Sequence, residues 1–161
     1  MRTICCKLPP AVAWSTRALA GQLWDHLDSD EMVQSLLPYL TRRELAAGHT
    51  VIRQGDPAEE LLFLESGQLT VLVETAVGPP VRLRTLRSGA VVGEMGLYSN
   101  HPRSASVVTD TAVVVHSLDR AALAHIEQEA PALANRLHRV IITLIAERLA
   151  DNTTLVQAMT L

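Results

Sequence analysis

Two charged residues stand close together in an apolar stretch near the middle of the chain. In the segment VVGEMGLYSNHPRSASVV, Glu94 and Arg103 are nine positions apart, and Gly93 and Gly96 precede the arginine. A charged side chain is costly to bury unless it has a partner. Residue types alone leave two interpretations open: a structural Glu94–Arg103 ion pair within a loop, or a binding site for a ligand that needs both charges.

The residue types around these charges fit a small anionic ligand that also carries hydroxyl groups. Glycines let backbone N–H groups approach an anion closely, and a short helical turn over residues 95–98 would add its N-terminal dipole. The Arg103 guanidinium suits a phosphate, and Ser104 adds a hydroxyl beside it. The Glu94 carboxylate accepts hydrogen bonds and suits paired hydroxyls such as those of a ribose. The combination indicates a nucleotide whose phosphate is held against its sugar.

Three zones of the sequence would position this segment. Residues 1–40 combine an irregular arm with helical periodicity, as in WSTRALAGQLWDHL and SDEMVQSLLPYL. Residues 41–118 contain about eight short apolar runs separated by glycines, which predicts a compact β-sandwich or barrel. Helical periodicity returns after residue 118, with a predicted N-cap at Ser117 or Asp119 and a new helix starting at Pro131.

The last predicted helix, from about Pro131 to Met159, carries two apolar stripes. One stripe can cover the β-domain, whereas the other follows a heptad spacing and favours a homodimer through this helix. A single broad buried face within a monomer is the alternative. Asn152 lies in the second stripe and would either set the register of a coiled coil or face a polar ligand. The first stripe is Leu133, Leu137, Val140 and Leu144; the second is Ile142, Ile145, Leu149, Asn152, Val156 and Met159.

Composition excludes several classes of function. The 161 residues are 48% hydrophobic, which suits one domain with a sizeable core. A net charge of −3 offers no basic surface for nucleic acid, and no run approaches the ~18–20 apolar residues of a membrane span. Adjacent Cys5 and Cys6 lack the spacing of a disulfide or metal site, and the histidines show no ligand spacing. No nucleophile or metal constellation surrounds Glu94 and Arg103, so we expect a protein that is not an enzyme and holds no metal. The lack of a membrane span and of cysteine pairing favours a cytoplasmic location.

The segment Gly93–Val107, hereafter the cassette, resembles the phosphate-binding cassette of cyclic nucleotide-binding domains. The family pattern is roughly F-G-E-[LIM]-[AG]-L-x(4)-P-R-[AST]-A-[ST]-V, and the sequence departs from it at Val92, where Phe or Ile is usual. The resemblance continues through AAGHTVIRQGDPAEELLFLESGQLTVL and covers about residues 32–158. It implies an α+β, mainly β fold: an eight-stranded antiparallel β-roll, jelly-roll-like and similar to that of the catabolite activator, with N-terminal helices and a long C-terminal helix.

The same resemblance implies a domain organisation and a set of site residues. Residues 1–28 would be an N-terminal arm and linker helix, and residues 29–161 the binding domain, with the β-roll over 41–118 and C-terminal helices over 119–159. Glu94 would bind the ribose 2′-hydroxyl and Arg103 the cyclic phosphate. Further cassette positions would complete the phosphate site, and polar residues of the long helix would contact the base. These are Gly93, Met95, Gly96, Leu97, Ser104 and Ala105 in the cassette, and Asn152 and Thr153 in the helix.

The implied function is that of a regulatory module in which a cyclic nucleotide moves the long helix. The cassette is most similar to the bacterial cAMP-activator type, which favours cAMP over cGMP. A degenerate β-roll that has lost its ligand and acts in dimerisation or protein interaction is the alternative. The sequence also resembles the C-terminal domains of bacterial sulfate-permease-like anion transporters, which would place it in the cytoplasmic part of a membrane protein. The chain shows no helix-turn-helix after the long helix, so DNA binding is not expected.

Overall fold

The computed structural model describes residues 30–159 of the chain, and the side chains it describes are those of residues 31–150. The predicted N-terminal arm and linker helix lie outside the described residues, as do Cys5 and Cys6. The elements in chain order are helix α1 (Asp30–Leu36), a 3₁₀ turn (Leu37–Tyr39), strands β1 (Thr41–Leu45), β2 (Thr50–Ile52), β3 (Glu60–Ser66), β4 (Gln68–Val73), β5 (Val81–Arg87) and β6 (Val91–Val92), helix α2 (Glu94–Ser99), strands β7 (Ser106–Thr109) and β8 (Val113–Asp119), and helices α3 (Arg120–Glu129) and α4 (Pro131–Met159).

The eight described strands form two four-stranded antiparallel sheets. Their orders are β1-β8-β3-β6 and β2-β7-β4-β5, so neighbours in space are rarely neighbours in sequence. In the first sheet Phe63 of β3 lies opposite Val91 of β6, and in the second Val71 of β4 lies opposite Val107 of β7. This arrangement confirms the expected mainly β fold with an eight-stranded antiparallel, jelly-roll-like β-roll and a long C-terminal helix.

Strand β3 is buried on both faces, which explains its unbroken apolar run LLFL. Alternate side chains of a strand point to opposite faces of its sheet. Leu61 and Phe63 lie in the core shared with the helices. Leu62 and Leu64 lie in the core between the two sheets. The strand therefore joins the β-roll to its helical layer.

Helices α3 and α4 begin where the sequence indicates. The Asp119 carboxylate accepts a hydrogen bond of 2.7 Å from the Ala122 amide, which makes Asp119 the N-cap of α3. Pro131 is the first residue of α4, a position at which its missing N–H costs nothing.

The two apolar stripes of α4 have different environments. Leu137, Val140 and Leu144 of the first stripe are buried in the helical core. In the second stripe, Ile145 is partly buried against the same core, whereas Ile142 is 59% exposed and Leu149 66% exposed. The described part of the second stripe is therefore neither wholly buried nor wholly exposed. The side chains of Asn152, Val156 and Met159 lie outside the described residues. An apolar surface thus remains on α4 after the β-roll has been covered.

Candidate functional site

The cassette starts at Gly93, where strand β6 turns into helix α2. Gly93 has a φ of 88°, a left-handed conformation that side chains rarely adopt. A Cβ atom there would lie 2.6 Å from Arg103 Nη1 and 3.1 Å from the Glu60 carbonyl oxygen. Glycine is therefore required both by the backbone and by the close approach of the arginine. The short helix that follows includes the predicted turn over residues 95–98.

Arg103 lies behind this turn as a buried cation, only 8% exposed. Its Nη1 donates to the Gly93 carbonyl oxygen over 3.0 Å, and its Nη2 donates to the Glu60 carbonyl oxygen over 2.6 Å. Among the described residues, no carboxylate oxygen lies within ion-pair distance of this guanidinium, because Glu60 pairs with Arg43 and Glu94 pairs elsewhere. Burial lowers the pKa of Arg103, against the opposing field of the nearby carboxylates. A buried positive charge whose recorded side-chain hydrogen bonds go to carbonyl oxygens is suited to bind an anion.

The partner of Glu94 is Arg148 on the long helix, so the interpretation as a Glu94–Arg103 ion pair is wrong. Glu94 is 3% exposed and Arg148 9% exposed. Nη1 of Arg148 donates to Glu94 Oε1, and Nη2 donates to the carbonyl oxygen of Val91. The Nε atom of Arg148 is buried and has no hydrogen-bond partner among the side chains that the structure describes. One helix of the C-terminal layer thus reaches directly into the cassette.

Glu94 and Arg103, the two charged residues of the cassette, line a cavity of about 280 Å³ between the cassette and the second sheet. This is near the lower end of the ~300–1,000 Å³ typical of small-molecule sites. The lining comes from the cassette, from side chains of β4 and β5, and from Arg148 of α4. The lining residues are Ile52, Val71, Val73, Leu83, Arg84, Leu86, Val92, Gly93, Glu94, Met95, Gly96, Arg103, Ser104, Ala105, Val107 and Arg148.

The charges on the cavity wall favour an anionic ligand with an apolar part. Arg84, Arg103 and Arg148 stand against the single carboxylate of Glu94, which leaves a formal excess of two positive charges (3 − 1). Valine and leucine side chains of the second sheet supply the apolar surface. A phosphate beside a ribose and a flat base has this distribution of charge and polarity.

Comparison with known protein families assigns most of the described chain to one family. The model of the cyclic nucleotide-binding domain matches residues 42–129, which include the β-roll from β1, the whole cassette and helix α3. The chain belongs to the cyclic nucleotide-binding domain family. The domain is regulatory in this family, and the resemblance inferred from the cassette is thereby confirmed at this level.

Individual relatives are larger proteins that contain such a domain. Glutaminase 2 of Bradyrhizobium diazoefficiens is 34% identical over 76% of this chain and 19% of its own length. The cAMP-dependent protein kinase regulatory subunit of Blastocladiella emersonii is 28% identical over 74% of this chain and 30% of its own. The chain therefore spans between about a fifth and a third of these relatives. The Thermus thermophilus catabolite activator protein superposes with a TM-score of 0.73 at 26% identity, covering 87% of this chain and 63% of that one.

Most predicted site residues of the cyclic nucleotide-binding domain line its cavity. The exception within the cassette is Leu97, whose side chain is 4% exposed in the helical core and whose amide donates to the Gly93 carbonyl oxygen over 3.4 Å. The side chains of Asn152 and Thr153 lie outside the described residues. The cavity contains seven predicted residues: Gly93, Glu94, Met95, Gly96, Arg103, Ser104 and Ala105.

Arg148 is the main residue that the sequence analysis did not single out. A signal for it exists, because it follows Leu144 by four positions and so continues the buried stripe of α4. A charge at a position that should be apolar indicates a buried partner. The sequence gives no indication which residue that partner is.

The part of the chain that the structure describes also bears on metal binding and on membrane insertion. No group of three or more His, Cys, Asp or Glu side chains there is arranged to hold a metal ion. Within residues 30–159, none of the helices combines the length and apolarity needed to cross a membrane. His116 is a core histidine, 1% exposed, with Nε2 2.6 Å from the Glu65 carboxylate.

Proposed function

We propose that this chain is a regulatory module that binds cAMP in preference to cGMP and converts binding into movement of helix α4. The observation that carries the proposal is Arg103, a buried cation on the wall of a cavity, without a carboxylate at ion-pair distance among the described residues. Such a site is complementary to a single phosphate charge. Membership of the cyclic nucleotide-binding family supports the same ligand class.

The ligand would be held from both ends of the cassette. Arg103 would pair with the cyclic phosphate through the guanidinium N–H groups that its two carbonyl contacts leave over. Ser104 and the backbone around Gly96 and Leu97 would add donors, with Gly93, Met95 and Ala105 shaping the wall. Glu94 would accept a hydrogen bond from the ribose 2′-hydroxyl. Asn152 and Thr153 of α4 would contact the base.

Coupling between ligand binding and the helix would depend on which group contacts the Glu94 carboxylate, Arg148 or the ribose. Arg148 on α4 holds this carboxylate, and the same oxygens would be needed by a ribose. A ligand shifts a conformational equilibrium only by its different affinity for the two states. A nucleotide that hydrogen-bonds the Glu94 carboxylate would therefore favour a position of α4 in which Arg148 no longer contacts it.

The choice of cAMP is supported by two similarities. The cassette GEMGLYSNHPRSAS is most similar to the bacterial cAMP-activator type, and one relative is named a cAMP-dependent protein kinase regulatory subunit. Neither similarity concerns a contact with the base, so cGMP is the comparison ligand for any binding experiment.

The exposed stripe of α4 suggests how the module acts on others. Ile142 and Leu149 are seven positions apart and exposed, and a second copy of this helix would cover them in a homodimer.

We further propose that the module belongs to a larger protein, as the resemblance to domains of sulfate-permease-like anion transporters suggests, with the module on its cytoplasmic side. A second candidate function is a degenerate interaction domain without ligand, favoured by the Glu94–Arg148 pair and this apolar stripe together.

A calorimetric titration with cAMP and then cGMP tests the proposal, after unfolding and refolding to remove any carried nucleotide. Saturable binding of cAMP at micromolar concentration or below, tighter than that of cGMP, is the expected result. A folded protein that releases no heat with either nucleotide would contradict the proposal and favour the degenerate interaction domain.

A further inference from the structure

The glutamate that contacts Arg103 through its backbone has its side chain paired with another arginine. Nη2 of Arg103 donates to the carbonyl oxygen of Glu60 over 2.6 Å. The Glu60 carboxylate accepts a hydrogen bond of 2.7 Å from Nη2 of Arg43, and this glutamate side chain is 25% exposed. Arg43 lies on β1 and Glu60 begins β3, with β8 between the two strands in the first sheet. The main chain and the side chain of one residue therefore contact two different arginines.

Of the carboxylates near Arg103, that of Glu60 acts on it most strongly. Burial lowers the pKa of Arg103, and the charge of Glu60 is the largest of the influences that oppose this shift. Glu94 also opposes it, but Arg148 holds the Glu94 carboxylate. Glu59 contributes less, and its side chain is 72% exposed. Glu60 is thus the carboxylate that would pair with Arg103 if its present partner were removed.

The structure has space for such a pairing beside the cassette. Glu60 and Arg103 both line a second cavity, of about 170 Å³, which also touches the loop after β2. Arg103 lines the first cavity as well and so borders both. Because the Glu60 carbonyl oxygen already contacts the guanidinium, rotation about the side-chain bonds of Glu60 would bring its carboxylate to the same group. A carboxylate there would compete with a phosphate for the positive charge.

We propose that Arg43 is a positioning residue for the phosphate site: it holds the Glu60 carboxylate away from Arg103 and so keeps the guanidinium available to the phosphate. The inference rests on the proposed function, because it takes Arg103 to bind the cyclic phosphate. Arg43 itself would not contact the ligand. Its Nε is buried without a hydrogen-bond partner among the described side chains, a cost that the charged contact with Glu60 offsets.

The test is the affinity for cAMP of variants that break the Arg43–Glu60 pair from either end. Arg43→Met frees the carboxylate to pair with Arg103, so we expect binding roughly fivefold weaker, the upper end of what exposed ion pairs contribute. Glu60→Gln breaks the same pair but leaves no carboxylate, so affinity should stay near that of the wild type. The double variant should recover the affinity lost in Arg43→Met. Loss of a structural contact between β1 and β3 would instead weaken both single variants alike, without rescue.

Arg42→Met is the matched control. Arg42 precedes Arg43 on β1, its side chain is similarly exposed, at 41% against 37%, and it donates to the Glu44 carboxylate over 2.5 Å. Its substitution removes the same positive charge without freeing Glu60, so it measures the long-range effect of charge on affinity. Arg43→Lys keeps a cation beside Glu60 and should bind cAMP nearly as well as the wild type. Equal affinity of Arg42→Met and Arg43→Met, or a loss in Arg43→Met that persists in the double variant, overturns the proposal.

A crystal structure of Arg43→Met, refolded to remove any nucleotide, separates this proposal from the proposed function. The Glu60 carboxylate should lie within ion-pair distance of the Arg103 guanidinium, about 4 Å. A carboxylate that stays away from Arg103 overturns the role of Arg43. Binding of cAMP that is unchanged in Arg43→Met also overturns that role and leaves the proposed function standing. A wild-type protein that binds neither cAMP nor cGMP overturns the proposed function, and the crystal structure alone then decides whether Arg43 holds the carboxylate away.

Discussion

The guanidinium of Arg148 near the end of the described part of helix α4 forms an ion pair with the carboxylate of Glu94 at the start of helix α2. The two residues are 54 positions apart and both are buried. The cassette residue proposed for the ribose is thus held by the helix proposed to move. In the proposed function, ligand binding and the position of the helix would be linked through this one carboxylate.

Breaking the buried pair should destabilise the fold more than replacing both partners. Arg148→Met or Glu94→Gln alone leaves a buried group without its partner, and each should lower the free energy of unfolding by about 3 kcal/mol. The double variant should lose less than the sum, with a coupling of about 1–3 kcal/mol. Urea unfolding without added nucleotide gives the free energy of unfolding of the wild type, the two single variants and the double variant. The exposed pair Arg42–Glu44 is the matched control and should show a coupling below about 1 kcal/mol. Additive losses for the buried pair would contradict the contact.

Arg148→Met should also change the affinity for cAMP. The ligand no longer has to displace an arginine from Glu94, so we expect binding roughly fivefold tighter by calorimetry, the size of a modest coupling energy. Weaker binding would instead show that Arg148 contacts the nucleotide, since its Nε is a buried donor without a partner in the described structure.

Arg103→Ala should remove the charge-assisted contact to phosphate. A loss of roughly 2–4 kcal/mol corresponds to a fall in affinity of about 30- to 1,000-fold. Arg103→Lys keeps the charge but cannot reach the Gly93 and Glu60 carbonyl oxygens with a planar fork, so it should recover only part of the loss. Arg82→Ala on β5 removes a cation that is 59% exposed and should leave affinity unchanged. Equal affinity of Arg103→Ala and wild type would rule out the phosphate role.

The sequence predicts the fold and the cassette because both depend on local patterns. The spacing of glycines and the short apolar runs between them indicate the strands. The cassette places Gly93, Glu94 and Arg103 within one turn–helix–loop unit. The contacts of α4 are different in kind. Arg148 and His138 reach residues 54 and 40 positions away, respectively, and these pairings follow from how the helix packs on the β-roll. The sequence predicts the buried positions Leu137, Val140 and Leu144 of α4, but only the packing shows that Ile145 joins their core while Ile142 and Leu149 stay exposed.

Gly93→Ala should be more damaging than an alanine at another glycine with positive φ. Both Gly93, with φ 88°, and Gly78, with φ 101°, disfavour a side chain, which costs roughly 1 kcal/mol or more at either position. At Gly93 the new Cβ would also displace Arg103 Nη1, whereas nothing lies within 4 Å of a Cβ at Gly78. Gly93→Ala should therefore unfold at a lower urea concentration than Gly78→Ala and bind cAMP more weakly. Equal loss of stability and unchanged binding in the two variants would mean that Gly93 serves the turn alone.

Stability at alkaline pH should depend on Tyr98. Its pKa is raised from 10.0 to about 12 by burial and by Glu127, so the unfolded chain loses the phenolic proton before the folded chain does. The folded state then binds more protons than the unfolded state, and stability falls as the pH rises from about 10 to 12. Two pH units correspond to about 2.7 kcal/mol, which screening at a side chain that is 38% exposed reduces to about 1 kcal/mol. Tyr98→Phe should lack this component of the alkaline loss.

Tyr39→Phe is the control for that measurement, because it retains Tyr98 and leaves it as the sole tyrosine. The ultraviolet absorbance of tyrosinate in this variant should rise with a midpoint near the raised pKa of about 12. Urea unfolding over the same pH range should show the alkaline loss in Tyr39→Phe and a smaller one in Tyr98→Phe. A midpoint at the ordinary value of 10.0 in a protein that is still folded would contradict the partial burial of the Tyr98 side chain that raises its pKa.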